Sequence, residues 1–331
     1  MDYFLPLIFA ILLGVAVLVY VILDGYDLGV GILVGLNKKQ KHRDLMVLSI
    51  GPFWDANETW LVLAVGIVLV AFPFAQGYIM AQLYLPTFVM IIGLIFRGVA
   101  FDFRVKVHSA YKKTWDIVFS LGSLLTSAAQ GYMLGKYIMA FEESYVSYAF
   151  SILIALLLPI GYSLLGSCWL ILKMEGDLFK ESVALCRKLL LVVLICMIMV
   201  SIITPLVSEY VYRSWFSSHG FFLFLPMLVL SALAMLYLRK FLLKIEDFGG
   251  KLHELPIIVA ALIFFLCFNG AAWNFFPYMV PGKWTIWEVA ASTESLTATF
   301  IGVVIVLPFL LGYTVFAYRV FRGKTSKEMS Y

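Results

Sequence analysis

Two pairs of acidic residues with the same spacing interrupt or border the most apolar parts of the chain. Asp24 and Asp27 follow an apolar run, and Asp55 and Glu58 open another. If these segments are helical, the spacing of three residues places both carboxylates of a pair on one helix face. Ionisable groups at membrane depth cost several kcal/mol and persist mainly when they are paired or line a polar path. Both pairs are therefore candidates for proton exchange.

Arg97 is the obvious counter-ion, since it lies within a third apolar run, five residues before Asp102. Five carboxylates beside one intramembrane arginine leave an excess of acid, so some carboxylates are expected to share protons. One hypothesis is a chain of proton-exchanging groups that opens to the cytoplasm. Its members are Asp24, Asp27, Asp55, Glu58, Arg97 and Asp102. The alternative hypothesis is that these residues cap helix ends and hold the helices together through ion pairs.

The composition says where such groups must lie. The 331 residues are 63% hydrophobic and 13% charged, and the mean hydropathy is +0.98. Soluble domains are typically about half apolar and a quarter charged, so this chain is predicted to be an all-α integral membrane protein. The length leaves no room for a sizeable soluble domain, which excludes soluble-enzyme classes. The net charge of +4 reflects an asymmetry between loops and is no sign of a nucleic-acid partner.

Nine apolar runs are long enough to cross a bilayer, which takes roughly 20 residues. They lie near residues 3–23, 55–72, 78–101, 116–139, 148–172, 188–207, 220–243, 255–277 and 296–318. No low-complexity linker or internal repeat divides them, so one polytopic membrane domain, 1–331, is predicted. A cleavable signal is not expected, because the acidic start lacks a basic segment and a small-residue cleavage site.

Lysine and arginine alternate between the two sides of these spans. Four cations fall in each of the segments 37–47, 102–115, 173–188, 239–251 and 319–327, which together hold 20 of the 24. By the positive-inside rule these segments face the cytoplasm. Nine spans then place the N-terminus outside and the C-terminus in the cytoplasm.

Residues that bind metals or haem are sparse. The four histidines, His42, His108, His219 and His253, lie in loops or at span edges, whereas a haem or copper site buried in a membrane normally needs imidazole there. The four cysteines, Cys168, Cys186, Cys196 and Cys267, lack metal-binding spacing and read as small buried apolar residues. We therefore expect no metal site, no catalytic constellation and no haem bound by this chain.

Four runs, in order along the chain, resemble subunit II of the cytochrome bd quinol oxidases. They are Leu23 to Leu33 (LDGYDLGVGIL), Gly51 to Val62 (GPFWDANETWLV), Phe96 to Arg104 (FRGVAFDFR) and Phe276 to Pro281 (FPYMVP). They cover about the first third and the last sixth of the chain, whereas the middle fits mainly by its span count. A single run would be weak evidence, but four in order are highly specific.

The resemblance implies a bacterial inner-membrane terminal oxidase that oxidises quinol, reduces dioxygen to water and generates a proton gradient. Haems b and d would be held by the partner subunit I, and some members hold a structural quinone in subunit II. Small single-helix subunits and membrane lipid are further candidate partners. The implied fold is two four-helix bundles and one peripheral helix. Those parts correspond here to residues 1–139, 140–277 and 278–331.

The resemblance also implies roles for single residues. Asp55 matches the acidic residue of a Trp-Asp-x-Asn motif implicated in proton uptake, and Trp60 matches a tryptophan near the proposed route for dioxygen. Asp24, Asp27 and Arg97 match polar positions around the first bundle. The chain departs from the family at two positions, with Ala56 where glycine is frequent and Glu58 where some members have glutamine.

Two other functions compete with this one. A proton-coupled secondary transporter would use the same acids and arginine as its substrate site, but these residues lie toward one side of the membrane and not at its midplane. A non-catalytic scaffold would use the polar groups for assembly alone.

Overall fold

The computed structural model describes residues 3–108, 111–216, 218–248 and 251–325, with the backbone alone at 218–223 and 248. Lys327, one of the cations predicted to face the cytoplasm, lies outside these residues. Nine helices long and apolar enough to cross a membrane occur in the described part of the chain. They are α1 (Phe4–Leu36), α3 (Trp54–Ala71), α4 (Pro73–Lys106), α5 (Lys112–Ile138), α6 (Tyr145–Lys173), α7 (Gly176–Val207), α9 (Ser218–Phe241), α10 (Leu255–Phe275) and α11 (Thr293–Val320). The predicted number of spans is confirmed.

Smaller elements join these helices. They are α2 (Gln40–Ile50), α8 (Glu209–Trp215), a 3-10 helix (Ile245–Phe248) and the strands β1 (Tyr278–Val280) and β2 (Trp284–Thr285). The two strands form an antiparallel hairpin, and Gly282 in its turn has φ of +69°, a conformation that glycine adopts without a steric penalty. Long apolar runs in the sequence predict none of these elements, because each is short or polar.

The chain divides into two compact units. Unit 1 comprises Met1–Asp24, Pro52–Tyr84 and Phe275–Gly323, and unit 2 comprises Gly25–Gly51, Leu85–Asn274 and Lys324–Tyr331. Helices α1 and α4 each contribute to both units. The division into bundles at 1–139, 140–277 and 278–331 stays a prediction.

In unit 2, helix α1 packs closely against α5 and α6 through glycines. A Cβ at Gly29 would overlap the carbonyl oxygen of Tyr162, and a Cβ at Gly31 would overlap the Ser123 hydroxyl. Small residues at such crossings let helix backbones approach closely in a bilayer. Tyr26 and Trp169 stack where α1 meets α6, with their ring centroids 4.1 Å apart. This packing fixes the part of α1 that carries Asp27.

In unit 1, the hairpin packs against the start of α4. Trp284 meets Phe74 and Tyr78 edge-on, with ring centroids 4.8 and 5.3 Å away, and the ammonium of Lys283 donates to the Tyr78 hydroxyl. Helix α11 then begins after Ser292, whose hydroxyl accepts a hydrogen bond from a backbone amide of the first turn. This first turn lies at the positive end of the helix dipole, which favours negatively charged side chains nearby.

The segment after α11 binds to the end of α6 in unit 2. The Lys324 ammonium donates to the backbone oxygens of Ile171 and Met174, at 3.3 and 3.2 Å, and lies 2.8 Å from Nδ1 of His253. Burial, together with the Lys324 charge, lowers the pKa of His253. The neutral imidazole can then accept a hydrogen bond from the lysine.

Candidate functional site

Helix α1 carries the two most deeply buried carboxylates of the predicted proton path. Both Asp24 and Asp27 are 0% exposed, and the helix runs through both without a break. The apolar run ends near residue 23, yet the backbone continues helical to Leu36. The three-residue spacing therefore places both carboxylates on one helix face, as predicted.

The second acidic pair lies at the start of α3, which begins at Trp54. Asp55 is in the first turn and exposed, Glu58 is partly buried, and Asn57 between them is fully buried. The Asn57 amide donates from Nδ2 to the Leu23 carbonyl oxygen over 3.4 Å, next to Asp24 in sequence. A carboxylate in the first turn is also favoured by the positive end of the helix dipole, so Asp55 can serve both the helix and a proton path.

Trp60 lies further along α3 and is only 2% exposed. In the described part of the chain its indole Nε1 has no hydrogen-bond partner. Buried indole N–H groups usually find an acceptor, so the position of Trp60 is unusual for a buried tryptophan. Trp60 therefore belongs to the interior of unit 1 and not to its outer surface.

Arg97 on α4 is fully buried in unit 2. A Cβ on Gly122 of α5 would come within 2.9 Å of the Arg97 backbone nitrogen, and the next residue of α5, Ser123, packs on Gly31 of α1. Asp27 precedes Gly31 by about one helical turn. Unit 2 thus buries this acid and this base on two helices that both pack against α5.

Asp102, further along α4, is exposed. The structure therefore separates the predicted residues into two kinds. The side chains of Asp24, Asp27 and Arg97 are fully buried, whereas those of Asp55 and Asp102 are exposed at the surface of the chain. Which acids exchange protons stays a prediction.

A buried charged cluster near the ends of α4 and α5 was not predicted. Asp116 on α5 is 2% exposed and accepts hydrogen bonds on separate oxygens from Nε of Arg43, at 2.7 Å, and Nε of Arg104, at 2.5 Å. Arg104 also donates to Asp44 of α2, at 2.8 Å. This cluster joins α2, α4 and α5. The available signal was an acidic residue at the first position of a predicted span, between two cation-rich segments.

The electrostatics of the cluster are visible at Asp44, which lies outside the spans. Burial acts to raise the pKa of this carboxyl, but hydrogen bonds from Gln40 and Arg104 outweigh it, and the charges of Arg104 and Lys112 add to them. The pKa of Asp44 is therefore held below its ordinary value. These surroundings favour the ionised form of Asp44, unlike those of a relay group, which must both take and release protons.

The described histidines and cysteines are occupied in other ways. Nδ1 of His42 lies 3.1 Å from a Glu181 oxygen. The thiols of Cys168 and Cys186 lie 3.5 Å apart in the interior, whereas Cys267 is exposed, contrary to the expectation that all four cysteines are buried. Among the described residues, no three His, Cys, Asp or Glu side chains form a group that could hold a metal ion.

Comparisons with known proteins agree with this architecture. A family model described as "Cytochrome bd terminal oxidase subunit II" matches residues 5–321. Subunit 2 of the cytochrome bd ubiquinol oxidase of Bacillus subtilis is 26% identical over 340 residues, covering 96% of each chain. The cytochrome bd-I subunit 2 of Escherichia coli K12 is 25% identical over 370 residues, covering 98% of this chain and 96% of the relative. A chain from the solved structure of bd oxidase from Geobacillus thermodenitrificans has the same fold, with a TM-score of 0.73, 18% identity, and coverage of 96% and 98%.

Proposed function

The chain belongs to the cytochrome bd terminal oxidase subunit II family, and from this membership we propose that it is the subunit II of a complex that oxidises quinol and reduces dioxygen to water. It is a multi-pass protein of the bacterial inner membrane. Membership in a family of oxidase subunits favours this function over a proton-coupled secondary transporter. Helix α11 exposes apolar side chains along most of its length, which suits contact with lipid and with subunit I.

The haems are assigned to subunit I because the ligands here do not fit them. Haem iron in a membrane subunit takes axial ligands such as histidine. His42 is on α2 and close to Glu181, and His253 precedes α10 and is close to Lys324. In the described part of the chain, with the spanning stretch of α9 taken as Phe224–Phe241, no spanning stretch contains a histidine. This chain is then the non-haem subunit of an electrogenic oxidoreductase.

We propose that this chain contributes a proton path from the cytoplasm, with the N-terminus outside as the cation-rich segments indicate. The observation that carries the proposal is the complete burial of Asp24 and Asp27 on one face of a spanning helix. A carboxylate inside a spanning helix can take up a proton and pass it on, which is the chemistry that a relay requires. Asp55 and Asp102 are exposed, so they are suited to take up protons from the cytoplasm. Glu58 is partly buried, so it is suited to pass these protons toward the buried acids. Reduction of dioxygen consumes protons, and drawing them from the cytoplasm separates charge across the membrane.

Asp55→Asn in the assembled oxidase is expected to lower turnover by about a hundredfold or more, since a positioned proton-transfer group typically contributes about 10²–10⁴-fold to a rate. The amide keeps the shape of the carboxylate but cannot carry a proton. Quinol oxidase turnover and voltage generation in proteoliposomes would be measured beside the reduced-minus-oxidised haem spectrum, which should stay normal. Asp27→Asn is expected to have a smaller effect of the same kind.

Asp177→Asn is the matched control for Asp55→Asn. Asp177 is likewise an exposed acid in the first turn of a spanning helix, so its removal costs the same small helix-dipole energy, about 0.3–1 kcal/mol. Unchanged turnover and voltage in Asp55→Asn would leave these residues with a scaffolding role alone. Loss of haem together with activity would indicate a role in assembly.

We propose that Trp60 forms part of an apolar route by which dioxygen reaches the haems from the lipid. Its support is the burial of the indole in a region where Nε1 has no partner among the described residues. Trp60→Ala removes the indole from this route. The variant is expected to change the rate at which dioxygen binds to the reduced oxidase, measured by flow-flash spectroscopy. Trp273→Ala, at a half-exposed tryptophan of α10, is the control. An on-rate equal to that of the control would remove Trp60 from the route.

A further inference from the structure

The buried amide of Asn57 connects two other helices of unit 1. Its Nδ2 donates to the Leu23 carbonyl oxygen of α1, and its Oδ1 accepts from the Tyr318 hydroxyl of α11 at 3.3 Å. Leu23 immediately precedes Asp24, and Asn57 lies between Asp55 and Glu58 in sequence. One side chain therefore links the acidic segments of α1 and α3 to the last helix.

The chemistry of these groups fixes the direction of both hydrogen bonds. A backbone carbonyl can only accept, so Nδ2 of Asn57 must face Leu23. Oδ1 then faces Tyr318, and the phenol must donate its proton. Without the phenol, the amide oxygen would lose this hydrogen bond in a buried place, and the loss of a buried hydrogen bond costs free energy. The Leu23 carbonyl thus sets the orientation of the Asn57 amide, and the Tyr318 hydroxyl hydrogen-bonds to the oxygen that this orientation presents to α11.

Tyr318 is itself held by aromatic packing at the start of α3. Its ring lies 4.8 Å from that of Phe53 and tilted by 42°, and the Phe53 ring meets Phe321 edge-on at 6.0 Å. Phe53 is 1% exposed, and its carbonyl oxygen accepts from the Asn57 backbone amide at 2.9 Å. Phe53, which immediately precedes the helical turn that carries Asp55 and Glu58, therefore also positions the Tyr318 phenol.

The rest of α11 is mostly exposed. Its buried residues are Leu296 near the start and Ala317 beside Tyr318. Helix α11 therefore has buried residues only near its two ends. The contacts near its C-terminal end include the hydrogen bond from Tyr318 to Asn57. A shift of α11 at that end would be transmitted to the turn that carries Asp55 and Glu58.

We propose that Tyr318 is a positioning residue for proton uptake, acting through Asn57 to hold the turn of Asp55 and Glu58 beside the Asp24 segment. The inference rests on the proposed proton path and extends it to α11. Tyr318 transfers no proton in this role. The Tyr318 hydroxyl holds the side-chain amide of Asn57 in place. The amide in turn holds the turn of α3 that carries Asp55 and Glu58.

The test is Tyr318→Phe in the complete oxidase, which keeps the ring packing and removes only the hydroxyl. Haem content and yield are expected to match wild type, whereas turnover falls about two- to tenfold, less than in Asp55→Asn. The pH profile of turnover is expected to shift by about half a unit or more, because the acids change surroundings. Tyr313→Phe, at an exposed tyrosine of the same helix, should leave rate and pH profile unchanged.

A double-variant comparison separates positioning from other effects. If Tyr318 acts through Asn57, Tyr318→Phe should cause no further loss in an Asn57→Ala background. A wild-type pH profile in Tyr318→Phe, or an undiminished effect in that background, would overturn the positioning role. If Asp55→Asn slows turnover while Tyr318→Phe does not, only this inference falls. If Asp55→Asn has no effect either, the proposed proton path falls with it.

Discussion

Replacing Asp116 by leucine is expected to destabilise the folded chain by about 3–5 kcal/mol, the usual cost of removing one partner from a buried ion pair. Arg43 and Arg104 each direct Nε to a separate oxygen of Asp116, and both arginine side chains are at most 10% exposed. Without the carboxylate, both guanidinium groups lose a buried anionic partner, and Arg104 keeps only its pair with Asp44. Because native proteins are stable by only about 5–15 kcal/mol, little intact oxidase should accumulate in the membrane. Haem content per cell and the melting temperature of purified complex would measure this loss.

Glu209→Leu is the control for Asp116→Leu. Glu209 forms an ion pair with Arg213 at 2.5 Å, but both side chains are 77% exposed, and exposed pairs of this kind contribute about 0.3–0.5 kcal/mol. A combined variant, Arg43→Met with Arg104→Met and Asp116→Leu, should recover part of the loss, since it removes the uncompensated charges. Equal yields of the Asp116 and Glu209 variants would contradict a structural role for the cluster.

Hydropathy predicts the spans well because the long apolar runs are a consequence of the bilayer. The nine predicted spans and the resemblance to the subunit II family are confirmed. Helix ends are predicted less well, since a helix need not stop where its apolar residues do. Helix α1 continues through Asp24 and Asp27, and α7 begins at Gly176, twelve residues before its predicted span. In both cases the backbone continues to satisfy its own hydrogen bonds through polar residues.

The site was predictable as a set of residues but not as an arrangement. Spacing correctly placed Asp24 and Asp27 on one helix face, yet nothing local distinguishes buried Asp24 from exposed Asp55, because burial depends on which helices pack around them. Asp116 was missed for the same reason. Its partners Arg43 and Arg104 lie 73 and 12 residues away in sequence, and their cations look like ordinary positive-inside residues.

Gly29→Ala is expected to separate α1 from α6 and to prevent stable folding of unit 2. The new methyl group would overlap the Tyr162 carbonyl oxygen, and it would lie 2.6 Å from the Tyr162 carbonyl carbon and 2.9 Å from the Gly166 nitrogen. All of these are backbone atoms, which cannot rotate away as a side chain can. Overpacking usually costs about 1–3 kcal/mol and more where nothing can yield. The melting temperature and yield of the complex should fall steeply.

Gly66→Ala on α3 and Gly302→Ala on α11 are the matched controls, because nothing lies within 4 Å of a Cβ at either position. Alanine favours a helix over glycine by about 1 kcal/mol, so these variants should be as stable as wild type or slightly more stable. A Gly29→Ala complex as stable as these controls would show that α1 and α6 do not pack backbone to backbone. Asp27 lies two residues before Gly29 and so points to a different face of α1, the face of Gly31, which packs on Ser123 of α5. The contact of Gly29 with α6 and that of Gly31 with α5 together hold this stretch of α1 inside unit 2.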